Sequence, residues 1–430
     1  MLDNAGDAAG MIGMTFSPTS SVRTSCCEFI RQSDSVSICM PALEKFSNEI
    51  AESIHSNQSL QVAEWDADGW HYTGKTYGQR KYQDDEVYEM MRMERVGLYI
   101  LSMDAINFCF WPSSSSSAKN GLEYEHLAIA LRKVAEIDDN SDDSEGYTGS
   151  RDSSTCAIKA PETYALSPSN LTTLTATKLQ SLLQPHFPPS SDSMVYELPE
   201  LDVRCRLLNE LGKGLIDHHD GSVLNMISKA NQSADSLVRI ILETFPGFRD
   251  YVDRENWSNK CSSCDWHTAK SSTSIIHFYK RAQIAVADIW AALGRCSVSS
   301  QRCHFTDMKL ITTFPDYRVP QILRQVGALQ YTPELAAKVD NQEELSEGGV
   351  DEVSIRAGTV VAVEEMVELV KKHLIAIAEA DSSEESMHNL QSLLEDVSAV
   401  TIDWYLWQRG EKEDRLNLLG PHHRVRTTYY

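Results

Sequence analysis

A chain of 430 residues with 42% hydrophobic and 23% charged side chains can bury a full core, so wholesale disorder is excluded. Its 39 basic and 62 acidic residues leave a formal charge of −23, which repels nucleic-acid backbones at long range and excludes a general nucleic-acid binder. A small anionic ligand stays within reach, because a few basic groups in one pocket suffice whatever the total.

In chain order, residues 1–20 lack a basic start followed by a long apolar run; they are expected as a flexible leader to one large domain over 21–430. No apolar run anywhere reaches the roughly eighteen residues of a membrane span. The ten cysteines are scattered, so reduced thiols, a cytoplasmic or nuclear location and no membrane partner are expected. From Val22 to Ile54 the apolar spacing predicts two helices split by a turn near Ser33 to Ser37. Ser113 to Ala118 and Asp138 to Ser154 are serine-rich and acidic and offer no face to bury, which predicts a disordered insertion over 113–158. Helix-period spacing returns over Leu198 to Leu215, Leu224 to Phe245 and Ile276 to Leu293, with a polar loop insertion over 255–272. Thr359 to Ala380 is the clearest amphipathic helix. Strand-like runs are few and no glycine-rich phosphate loop follows one, so the fold class is mainly α, a single large helical domain with serine-rich acidic insertions.

Three constellations have residue types that can carry chemistry. Cys261, Cys264 and His267 have partial zinc-ligand spacing, with Cys303 and His304 as further donors. A second CxxC is missing and polar loops often hold inert cysteines, so no metal and no cofactor are expected. Phe314, Asp316 and Tyr317 lie between an irregular run and a helix expected to start at Pro320, where an aspartate can serve as a plain N-cap. Asp403, beside Trp404 in an apolar helix-compatible run, needs a partner if buried: Arg409, Arg356 or a ligand. Lys280 and Arg281 open an apolar helix as either a solvated end or an anion contact.

Several segments together resemble the queuosine salvage protein family, the queuosine 5′-phosphate N-glycosylase/hydrolases. They are INFCFW (106–111), LLNELGKGL (207–215), FYKRAQIAVADIW (278–290), TTFPDYRVPQILRQVGALQY (312–331), SIRAGTVVAVE (354–364), IDWYLW (402–407) and the closing HHRVRTTYY, in the family's order. The resemblance implies a helical fold like that of DNA glycosylases and metal-free release of queuine from queuosine 5′-monophosphate or queuosine. It puts the nucleophile or transition-state stabiliser on Asp316, the base-contacting phenylalanine on Phe314, and acidic and aromatic base contacts on Asp403 and Trp404. Trp404 replaces an expected tyrosine and Gln408 an expected acidic contact; His71 in GWHYTG is the nearest match to a histidine contact.

These residue types suit that chemistry. Breaking a ribosyl C–N bond builds positive charge at the sugar carbon, and a fixed carboxylate such as Asp316 stabilises or attacks it. A 7-deazapurine has no N7 to protonate, so recognition of the departing base must do more: Asp403 accepts from the guanine-like edge while Phe314 and Trp404 flank its plane. Lys280 and Arg281 are the candidates for the 5′-phosphate. Two other readings stay open, a non-enzymatic helical scaffold for another protein and a glycosylase for a different nucleotide. A DNA-acting enzyme conflicts with the −23 charge. Oligomeric state is left open.

Overall fold

The computed structural model describes residues 17–60, 65–75, 85–111, 122–137, 160, 162–187, 198–257, 274–294, 300–381 and 384–430. Chain order gives α1 (Pro18–Ile30), β1 (Val36–Ile38), α2 (Met40–Asn57), α3 (Asp85–Ile106), α4 (Tyr124–Glu136), α5 (Pro168–Thr172), α6 (Ala176–Leu183) and α7 (Leu201–His219). Next come α8 (Val223–Lys229), α9 (Ala234–Thr244), β2 (Tyr251–Asp253), β3 (Ile275–His277), α10 (Lys280–Ile289), α11 (Arg318–Gln325) and β4 (Leu329–Tyr331). The order closes with α12 (Pro333–Asp340), β5 (Glu344–Leu345), α13 (Val350–Asp381), α14 (Glu384–Asp396), α15 (Ala399–Arg415) and β6 (Arg424–Val425). The strands pair only in twos, β1 with β4 and β2 with β3 antiparallel, β5 with β6 parallel. The fold is therefore mainly α. No described helix is long and apolar enough to cross a membrane.

Several boundaries differ from the sequence expectation. α1 begins inside the expected leader, because Pro18 presets the first turn and the Ser17 hydroxyl accepts the Ser20 N–H at 3.2 Å. The turn after it carries β1, which Leu329 to Tyr331 complete from far along the chain. The expected 113–158 insertion is interrupted by α4, whose Leu127, Ala128, Leu131 and Val134 are buried in the core; its remaining parts lie outside the described residues. Leu224 to Phe245 is two helices, since Asn231 and Gln232 take positive φ of 49° and 61° and Ser233 recaps α9. Ile276 to Leu293 starts as strand, not helix, and most of the 255–272 loop, with Cys261, Cys264 and His267, is outside the described residues.

The core is two apolar clusters joined through α13. Val353, Ala357 and Val360 face the first, built from α1, α3, α4 and α7 to α10; Ile355, Ala362, Val363 and Met366 face the second, built from α2, α11, α12 and α15. The first part of α13, Glu352 to Ala362, is accordingly buried on nearly all sides, and only its later turns are amphipathic as expected. Gly358 keeps this crossing close: a Cβ there would meet a Val36 methyl at 3.1 Å, tighter than an ordinary contact.

Candidate active site

One face of α10 begins the site. Lys280, Ile284 and Asp288, spaced by four residues, line a cavity of about 1050 Å³ counting its open mouth. Asp250 anchors the start of this helix: its carbonyl accepts the N–H groups of Phe278 and Tyr279, both at 3.0 Å, and its carboxylate accepts that of Lys280 at 3.2 Å. Arg281 turns the other way. Its guanidinium donates to the carbonyls of Ala105 and Gly247 beneath the rings of Phe108 and Phe248, so the structure does not bring it to the cavity. A side chain one residue from Lys280 is rotated by about 100° around the helix, which here carries the Arg281 charge away from the cavity.

The 312–317 segment crosses the floor. Its Thr312 is clamped both ways by Gln283 of α10, at 2.9 Å through the backbone N–H and 2.8 Å through the hydroxyl. One oxygen of Asp316 accepts the N–H groups of Arg318 and Val319 at 2.9 and 3.0 Å, so α11 starts two residues before Pro320 and Asp316 does perform the capping that its position suggests. Its other oxygen accepts no hydrogen bond among the described residues, and the side chain lines the cavity. The cap thus fixes the carboxylate while leaving half of it for a ligand.

From α15, Asp403, Trp404, Trp407 and Gln408 form the facing wall. Neither Arg356 nor Arg409 partners Asp403, for Arg356 pairs with Asp250 and Glu352, and Arg409 with Glu413. The Thr313 hydroxyl and the Phe314 N–H donate to one Asp403 oxygen instead, the latter at 2.8 Å. Trp404 stacks on Trp290 with ring centres 6.1 Å apart. Across the cavity, His71 stacks on Trp65 at 4.5 Å. The Tyr99 hydroxyl donates to the Ala128 carbonyl at 3.2 Å and so accepts from His71 Nδ1, 3.2 Å away, leaving Nε2 of the imidazole as an acceptor.

Seven of the eight residues selected from sequence therefore line one cavity: His71, Lys280, Phe314, Asp316, Asp403, Trp404 and Gln408. Sequence reasoning passed over Trp65, Asp68, Asn107, Tyr124, Asp288, Trp407 and Tyr430, and noted Tyr317 without giving it a role. Asp288 carried a legible signal, a lone carboxylate eight residues after Lys280 in an apolar helix. Tyr124 carried none, because it adjoins the polar insertion.

Burial dominates the electrostatics. It raises Asp316, against the nearby Lys280 ammonium and the two capping N–H groups. It pushes Asp403 up to about 8, helped by Asp316. Asp288 rises to about 7 through burial, opposed by a hydrogen bond from Trp65 and by Lys280. Lys280 is lowered by burial and supported by Asp316, Asp104 and Asp403. His71 is pushed down to about 4 by burial and Arg132, so its imidazole is neutral. Among the described residues no group of three or more His, Cys, Asp or Glu is placed to hold a metal ion. Cys303 is buried and His304 exposed.

These shifts set a pH dependence of stability. Asp403 at about 8, with Asp288, Glu94 and Glu352 at about 7, binds protons in the native state that an unfolded carboxylate, of pKa about 4, has released; stability therefore falls as pH rises toward 8. The histidines lowered to about 4, His71, His219, His277 and His422, act oppositely, but only below their unfolded value of about 6.5. The lowered Lys280 opposes the four carboxylates singly. The melting temperature is expected to fall by a few degrees, roughly, between pH 6.5 and 8. A calorimetric series showing it level or rising over that interval would contradict the assigned shifts.

A sequence profile described as "Queuosine salvage protein" matches residues 88–430. The chain is similar to a Dictyostelium discoideum protein named queuosine 5′-phosphate N-glycosylase/hydrolase, 31% identical over 347 residues, covering 81% of this chain and 82% of that protein. A Sphaerobacter thermophilus protein of the same name is 29% identical over 343 residues, 78% of this chain and 82% of that one. For a Mus musculus protein, also so named, the figures are 35% over 241 residues, 56% and 61%.

Proposed function

Since the chain belongs to the queuosine salvage protein family, we propose that it hydrolyses the N-glycosidic bond of queuosine 5′-phosphate and releases the free base for salvage. The observation that carries this reading is a half-satisfied, buried carboxylate and a buried ammonium that line the same cavity within electrostatic reach of each other, Asp316 and Lys280.

The C1′–N bond breaks with its electron pair on the base, leaving an oxocarbenium-like sugar carbon; water supplies hydroxide to that carbon and a proton to the base. The free oxygen of Asp316 faces the growing positive charge, and the nearby Lys280 ammonium favours the ionised carboxylate against the effect of burial. The same ammonium is the only Lys or Arg among the described lining residues, which makes it the contact for the 5′-phosphate. Asp403 has one oxygen left to accept from the guanine-like edge, between Phe314 and Trp404. A ligand offering two N–H donors there draws Asp403 into its ionised form. Nε2 of His71 accepts from a ligand hydroxyl. The six described cysteines are all free thiols, which supports action in a reducing compartment, the cytoplasm.

Incubating the protein with queuosine 5′-monophosphate, and in parallel with queuosine, tests the reading by mass spectrometry. Free queuine and ribose 5-phosphate are expected from the nucleotide, and slower release from the nucleoside, which lacks the group Lys280 holds. If neither yields queuine, the reading fails.

A further inference from the structure

The cavity is over-supplied with carboxyl groups for a nucleotide. Asp68, Asp288, Asp316 and Asp403 line it against the single ammonium of Lys280. A ligand bringing only a phosphate supplies no cation for these carboxyl groups, and ionising them beside it is costly in a low-dielectric setting. Asp316 and Asp403 are accounted for by the reacting carbon and the base edge; of the two that are not, Asp68 is exposed to solvent and Asp288 is buried. It stands eight residues beyond Lys280 on the same face of α10, about 12 Å farther along the helix axis.

Behind it is a second carboxylate. Asp104 of α3 is wholly buried, and neither of its oxygens has a hydrogen-bond partner among the described residues. Asp288 is the charged neighbour that most disfavours its ionisation. Lys280 and Arg281 lie within electrostatic reach, yet neither is hydrogen-bonded to Asp104, and the two terminal nitrogens of Arg281 donate to the carbonyls of Ala105 and Gly247. Two buried carboxylates within electrostatic reach of each other and without a bonded cation are costly to ionise unless a cation arrives. Trp65 donates to Asp288, and the cavity rim around it carries Trp65 and Trp70, rings whose faces favour a positive group.

Resting on the function proposed above, we propose that Asp288, backed by Asp104, is the subsite for the protonated secondary amine on the 7-substituent of the queuosine base, and so selects nucleotides with a cationic 7-substituent. An alkylamine of this kind is charged at neutral pH and has two N–H donors, one for an Asp288 oxygen and one for a cyclopentenediol-facing or solvent acceptor. Asp104 touches no ligand in this arrangement; it is a positioning residue that adds negative potential behind Asp288.

The test compares queuosine 5′-phosphate, 7-aminomethyl-7-deazaguanosine 5′-phosphate and the neutral 7-hydroxymethyl analogue, with wild-type protein and Asp288→Asn. The wild type is expected to prefer the aminomethyl over the hydroxymethyl nucleotide by about tenfold in kcat/KM. Asp288→Asn should lose about tenfold on the two amine-bearing substrates, mainly through KM, and less than about twofold on the neutral one. These ratios are taken within one protein sample, so a partly unfolded variant cancels. An absent wild-type preference, or equal losses on all three nucleotides, overturns the inference and leaves the glycosidase reading standing. Release of base from none of the three by the wild type overturns both.

Discussion

Asp316→Asn is expected to slow single-turnover release of the base by about a hundredfold or more, while the unfolding midpoint stays close to that of the wild type. The two outcomes separate because, in the proposed mechanism, the two oxygens of Asp316 have separate duties. Oδ1 accepts from Arg318 and Val319 at 2.9 and 3.0 Å, and an asparagine carbonyl keeps both bonds, so α11 retains its cap. The other oxygen becomes an amide nitrogen, which offers no negative charge to an oxocarbenium-like carbon. Asp403→Asn should behave differently. It keeps an oxygen for Thr313 and Phe314 but loses the acceptor for the base edge, which matters before and during bond cleavage; affinity for free queuine should fall together with rate. Near-normal turnover by Asp316→Asn would reduce that aspartate to its capping role.

Arg356→Met should cost about 3–5 kcal/mol of unfolding free energy in urea titration, the largest loss expected of any single substitution discussed. The side chain is fully buried and bonds Asp250 at 2.5 and 3.0 Å and Glu352 at 3.4 Å, and its Nε donates to the Pro315 carbonyl at 3.2 Å. Methionine fills much of the volume but leaves two carboxylates without their cation. Because Asp250 also holds the start of α10, and Pro315 precedes Asp316, the surviving folded fraction should turn over more slowly as well. Adding Asp250→Asn should recover part of the stability, since the orphaned charge rather than the lost contact is the main cost. A loss below about 1 kcal/mol for Arg356→Met would mean that the network contributes little.

Helical periodicity made the general architecture legible, and residues such as Asp316 and Asp403 stood out because carboxylates beside aromatic and apolar neighbours demand a reason. Other features escaped for definite causes. β1 and β4 are three residues each and find one another across nearly 300 positions, so no local pattern announces them. α4 was hidden because serine-rich stretches on both sides set the local composition. The break at Asn231 and Gln232 depends on positive φ at residues that are also compatible with helix. Arg281 was drawn into the site by adjacency in sequence, although adjacent side chains on a helix diverge. Asp104 was invisible as a partner of Asp288 because the pairing is made by α3 packing on α10, a tertiary fact.

The cavity wall takes residues from 65–71, 107–110, 124, 280–288, 314–317, 403–408 and 430, and Tyr430 is fixed there by Cys109 donating to its carbonyl at 2.9 Å. Sequence-distant segments must all be in place before the wall is whole. During refolding, helices form from local contacts early, whereas loop closures of this length come late. Far-ultraviolet signal should thus return well ahead of ligand binding, and no contiguous fragment that omits either the 65–71 segment or Tyr430 contains the complete binding wall. Competence to bind is in this sense a report on the finished tertiary structure, and a trapped intermediate rich in helix would be silent to any substrate.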